Sequence, residues 1–77
     1  MNTERKYKLY NVIEKIRKNV DELQEILVEE KKYNKNIPDN LRESERAETS
    51  SEAINTLTDA IRTIEEATNN LDEIVER

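Results

Sequence analysis

Apolar residues recur at seven-residue steps along most of this chain. Ile13, Val20 and Leu27 make one row, Leu9, Ile16 and Leu23 make a second, and Val12 and Ile26 add a flank. On a helix these rows merge into a band wider than a two-row coiled-coil seam, the width expected of a helix inside a bundle. The pattern predicts a first helix over about residues 4–32, a rod of about 43 Å at 1.5 Å per residue. Further along, Ile54, Ile61 and Val75 form one row and Leu57, Ile64 and Leu71 its neighbour. Ala53, Ala60 and Ala67 hold a third row, where small side chains let a neighbouring helix approach closely. A second helix is predicted over about residues 41–76. Its first part, Arg42 to Glu52, has Ala47 as its only apolar residue and is expected to be helical but weakly buried.

Between the two patterns lies Tyr33-Asn34-Lys35-Asn36-Ile37-Pro38-Asp39-Asn40. Asparagine tolerates a helix end, and proline pushes the residue before it out of the helical region. Asp39 or Asn40 can cap the following helix, and Asn40 with Glu43 fits a capping box. Residues 33–40 are therefore read as a turn. The fold class is all-α: an antiparallel two-helix hairpin, one domain over residues 1–77, assembling as a homo-oligomeric helical bundle.

Charge favours the antiparallel arrangement. Residues 1–18 carry six basic and two acidic groups, whereas residues 65–77 carry five acidic groups and one basic. Basic groups at a helix start and acidic groups at a helix end both oppose the helix dipole. Placing the two ends side by side offsets that cost. Each exposed pair contributes about 1 kcal/mol at most, so charge selects orientation more than it stabilises.

Size calls for assembly. A core in a chain of 77 residues rarely supplies more than about 3–5 kcal/mol unless disulfides, metals or oligomerisation add to it. Cysteine and histidine are both absent, which leaves self-association, as a dimer or a larger bundle. The expected oligomer core is Ile13, Ile16, Val20, Leu23, Leu27, Ile54, Leu57, Ile61, Ile64 and Leu71. Asn19 and Thr68 interrupt the stripe; they either set its register or sit at its margin. The first ten residues hold no uninterrupted apolar run that could act as a secretion signal, and no later stretch matches a membrane span. The expected location is cytoplasmic.

Enzymatic chemistry finds few components. A di-iron bundle needs Glu-x-x-His pairs, and phosphate-cradling loops need glycine, which is also absent. Glu65–Glu66 and Asp72–Glu73 are adjacent pairs whose members point in different directions. Ser44, Ser50 and Ser51 have no histidine to activate them. No catalytic residue, cofactor or metal is assigned. With a net charge of −5, direct nucleic-acid binding is disfavoured, and Tyr7, Tyr10 and Tyr33 read as packing rather than base stacking. Residues 37–77 hold eleven acidic and four basic groups, which admits an acidic decoy for a DNA-binding protein. At the hairpin tip, Asn40, Arg42, Ser44 and Arg46 form a candidate site for a partner or an anion, with plain surface ion pairing as the alternative. Ile37 and Leu41 are expected to seal the bundle end.

The segment Asn36-Ile37-Pro38-Asp39-Asn40-Leu41-Arg42-Glu43-Ser44-Glu45-Arg46, followed by Ala53-Ile54-Asn55-Thr56-Leu57-Thr58-Asp59-Ala60-Ile61, resembles small uncharacterised helical-hairpin proteins of Gram-positive bacteria and their phages. Their pattern is Asn-(Ile/Leu)-Pro-x-Asn-Leu-x-x-Ser-Glu-Arg before a heptad helix. The likeness spans about residues 30–75, and its specific part is the eleven-residue segment. It implies a setting, the host cytoplasm, in which small accessory phage proteins bind and block host factors. The expected function is therefore a non-enzymatic phage-type accessory protein that self-associates and inhibits a host protein, such as a defence component. The alternatives are an oligomeric sponge for an anionic small molecule or nucleotide, and an acidic DNA mimic or structural protein.

Overall fold

The computed structural model describes residues 1–77 as two helices, α1 (Thr3–Lys35) and α2 (Glu45–Glu76), joined through a 3₁₀ turn at Asp39–Leu41. They pack along their length as a rod of 59 × 15 × 14 Å. No helix is long and apolar enough to cross a membrane.

Each helix start has a defined cap. The Asn2 side chain accepts from the Arg5 amide at 2.8 Å and opens α1. Ser44, not Asp39 or Asn40, opens α2: its Oγ accepts from the Ala47 amide at 3.3 Å and donates to the Leu41 carbonyl at 2.6 Å. The second helix thus begins later than the sequence pattern suggests, and the Asn40–Glu43 capping box is not formed. The reason is local. Pro38 is extended and precedes the 3₁₀ turn, closed by the Leu41 amide on the Pro38 carbonyl at 2.9 Å. That turn lets Ile37 fold inward until only 3% of it is exposed. Leu41 stays on the surface, so Ile37 alone of the expected pair seals this end.

Lettering Ile13 and Ile61 as heptad position a places Leu9, Ile16, Leu23, Leu57, Ile64 and Leu71 at d. Val12, Asn19, Ile26 and Tyr33 then share position g with Arg46, Ala53, Ala60, Ala67 and Ile74. Around a helix the order is g, d, a, e, and burial follows it. At a, Ile13, Val20, Ala47, Ile61 and Thr68 are buried; Leu27, Ile54 and Val75 are half-buried. All six apolar d residues are only half-buried. At g, Val12, Ile26, Tyr33, Ala60 and Ala67 are exposed, Ala53 and Ile74 are half-buried, and Asn19 and Arg46 are exposed polar members of the row. In a symmetric two-stranded coil a and d share the seam equally, with polar e and g flanking it. Here the helices meet along a and leave d and g open.

Opposite that opening, e carries polar groups. Arg17 and Asp72, both at e, form the cross-helix ion pair at 2.7 Å. The Arg17 guanidinium is held above its already high ordinary value, chiefly by the hydrogen bond to Asp72. A raised cation contributes its stability below its titration range, so this contribution is constant through neutral and mildly alkaline pH. Thr68 is buried, yet its hydroxyl donates to the Ile64 carbonyl of its own helix at 2.6 Å. Asn19 is exposed. Neither makes a polar contact across the hairpin that could fix register.

Candidate functional site

Two surfaces stand out: the tip, and the open face just described. The tip holds more buried structure than Arg42–Glu52 was expected to have. Ala47 and Ser50 are 4% and 3% exposed. They occupy the a and d positions that the α2 rows reach when extended backward. The α1 rows, extended forward, reach Glu30 and Asn34. These four residues form a final layer in which apolar packing gives way to hydrogen bonds. Ser50 Oγ donates to Glu30 Oε2 at 2.7 Å and accepts from Asn34 Nδ2 at 3.2 Å. The same Asn34 amide group reaches Ser51 Oγ at 3.2 Å. No buried side-chain polar atom lacks a partner.

That layer sets an energetic expectation. Ser50→Ala removes the donor to a part-buried carboxylate and the acceptor for Asn34. Leaving such groups unsatisfied costs about 1–3 kcal/mol. At about 4–8 °C per kcal/mol for a domain of this size, the melting temperature should fall by roughly 4–24 °C. A thermal melt showing no change would mean that water replaces the hydroxyl without loss.

The four tip candidates have distinct placements. Arg42 folds back on the end of α1: Nη1 donates to the Asn34 carbonyl at 2.8 Å and to Asn34 Oδ1 at 3.3 Å, and Nη2 to the Lys35 carbonyl at 3.1 Å. Its guanidinium thereby serves the Lys35 carbonyl at the helix end and adds a second donor to the Asn34 carbonyl, which also accepts from the Ile37 amide at 3.1 Å, and its charge suits the negative end of the dipole. Ser44 caps α2. Arg46 lies over the Tyr33 ring, 5.5 Å from the centroid, in a cation–π contact. Asn40 sits exposed in the 3₁₀ turn. Three of the four are therefore engaged within the hairpin. Arg42→Ala should lower the melting temperature by roughly 4–8 °C, through loss of about 1 kcal/mol of hydrogen bonding. An unchanged melt would show these contacts to be energetically neutral.

Glu30, Tyr33, Ser44, Glu45, Arg46 and Thr49 line an open groove beside the tip, together with Ser50 and Ala53. Two carboxylates on its wall work against an anionic occupant.

The open face runs the length of the rod. Tyr33 and Ala53, both at g, line that one groove, which places the two g rows on the same side. Seven-residue steps in opposite directions then bring Ile26 level with Ala60, Asn19 with Ala67, and Val12 with Ile74. Toward the tip, large side chains (Ile26, Tyr33) lie along α1 and small ones (Ala53, Ala60) along α2; at the open end Asn19 is level with Ala67 and Val12 with Ile74. The expected oligomer-core residues all lie at a or d; Ile13, Val20 and Ile61 are buried within the hairpin and the other seven are only half-buried.

No family model, no curated protein and no solved structure matches the chain. What supports a function is thus the geometry of these two surfaces. Sequence spacing alone could have reached Glu30, Asn34, Ala47 and Ser50, each one heptad beyond an apolar residue. Their polarity or small size hides them. Arg42 as a C-terminal clamp carries no such signal.

The outer side of α2 is acidic. Glu45, Glu52, Asp59, Glu66 and Glu73 recur at position f, all exposed. They make a ridge with one carboxylate about every 10.5 Å. B-DNA carries one charge per about 1.7 Å of axis. A single strand carries one charge per about 3.4 Å, so this single ridge is about three times too sparse to copy even one strand, which weighs against the DNA-mimic reading.

Proposed function

We propose that this chain is a non-enzymatic interaction protein that self-associates and binds and inhibits a host protein. The observation that supports this is the apolar surface left on one side of the rod: all six apolar d residues are only half-buried, and Val12, Ile26, Tyr33, Ala60 and Ala67 at g are exposed. Such a face has no use in an isolated soluble rod and is suited to contact with protein. Surface area points the same way. The hairpin exposes 6133 Å², whereas a folded monomer of 9.1 kDa should expose about 4,900 Å². The excess, roughly 1,200 Å², exceeds the ~800 Å² that each partner buries in a standard interface.

The sponge reading has less support, because Arg42 and Arg46 are occupied and the tip groove carries carboxylates. Purification of the tagged chain from host cytoplasm, followed by mass spectrometry of proteins and of extracted small molecules, separates the two. The expected result is one host protein at fixed stoichiometry, rebinding directly when both are purified and losing activity in the complex. A nucleotide or other anion released on denaturation, with no protein, would overturn the proposal in favour of the sponge.

A further inference from the structure

We infer that the d/g face is closed by a second copy of this chain, lying face to face with both hairpin tips at the same end, so that α1 of each copy packs against α2 of the other. This rests on the self-association proposed above and adds which face is used and in which orientation.

Three observations carry it. The first is area: the excess of roughly 1,200 Å² per chain is what a dimer larger than the standard size would remove. The second is shape. A two-fold axis along the rod lays Ile26 over the partner's Ala60 and Tyr33 over the partner's Ala53, large against small at the two steps nearest the tip, while Asn19 meets the partner's Ala67 and Val12 the partner's Ile74. The perpendicular in-plane axis, with tips at opposite ends, would instead stack α1 on α1 and α2 on α2. Tyr33 would then meet the partner's Val12 and Ile26 the partner's Asn19, while Ala60 would face the partner's Ala67 across a gap. Interdigitating large and small residues fills the space between helices at the density of protein interiors. The third is charge. Tips together, the basic residues 1–18 of one copy lie beside the acidic residues 65–77 of the other. Each basic start then has acidic neighbours in its own hairpin and in the partner.

The opposite side cannot serve equally. Its e positions hold Tyr10, Arg17, Gln24 and Lys31 on α1 and Ser51, Thr58, Glu65 and Asp72 on α2. Burying that polar set would strip water from charged groups for little apolar gain.

Sedimentation of wild type, Ala60→Arg and Thr58→Arg tests the face. Both substituted residues are exposed in the hairpin, so neither change disturbs the seam within one chain. The expected result is a wild-type particle of twice the 9.1 kDa chain, unchanged by Thr58→Arg and halved in mass by Ala60→Arg. A wild-type monomer at tens of micromolar would overturn this inference and the self-association beneath it. An oligomer that persists in Ala60→Arg would overturn the face alone. If Ala60→Arg fails to fold, single-cysteine chains give a second measurement, because the chain has no cysteine of its own. An Ile26→Cys chain mixed with an Ala60→Cys chain should oxidise to the mixed disulfide. Recovery of only the two homodisulfides, or of no disulfide, would overturn the orientation.

Discussion

Ile61→Asp is expected to abolish helical circular dichroism and assembly together. Ile61 is 5% exposed, at the middle of the a row where the two helices meet. An aspartate there either stays charged without a partner or protonates; both outcomes cost several kcal/mol. The whole stability of so small a core is about 3–5 kcal/mol before assembly contributes. One substitution therefore removes as much as the hairpin has. Neither helix persists alone, because without its partner each depends on weak intrinsic propensity and on a few exposed i,i+3 and i,i+4 ion pairs, such as Lys8–Glu4 and Arg62–Asp59. Wild-type ellipticity in the mutant would place Ile61 outside the seam.

The same residue shows what the amino-acid sequence reveals and what it withholds. Ile61 is legible as core from spacing alone, as are Ile13 and Val20, because heptad recurrence is a direct consequence of helix geometry. The hairpin follows from the single proline and the charge balance of the two ends. The start of α2 is less legible, since Asn40-x-x-Glu43 and Ser44 are both acceptable local caps. What decides is a tertiary demand: residues 38–44 must bury Ile37 and carry Arg42 back to the carbonyls of α1. The asymmetry between e and g is hidden for a different reason. Val12, Ile26 and the alanine row are visible as flanks of two separate stripes. That they share one side of the rod depends on how the hairpin closes, which the helical periodicity of either segment leaves open.

Ile64→Ala then measures how much of the open face is covered. Ile64 occupies d and is half-buried in the hairpin. If the hairpin stood alone, truncation would remove three carbons already partly in water. The cost would be near half of a fully buried side chain's transfer energy, about 1–1.5 kcal/mol. With a second copy over the face, the same truncation empties a site enclosed on both sides. The expected cost is then the full large-to-small range of about 2–5 kcal/mol. At about 4–8 °C per kcal/mol that is a fall of roughly 8–40 °C in melting temperature, against roughly 4–12 °C for the lone hairpin. Concentration supplies the control. A dimer's melting point rises with chain concentration, because unfolding is coupled to dissociation. The wild type should show that rise, and Ile64→Ala should melt lower at every concentration while keeping it. A small, concentration-independent loss would instead mean that the d row faces water, and that the apolar face awaits a partner other than this chain.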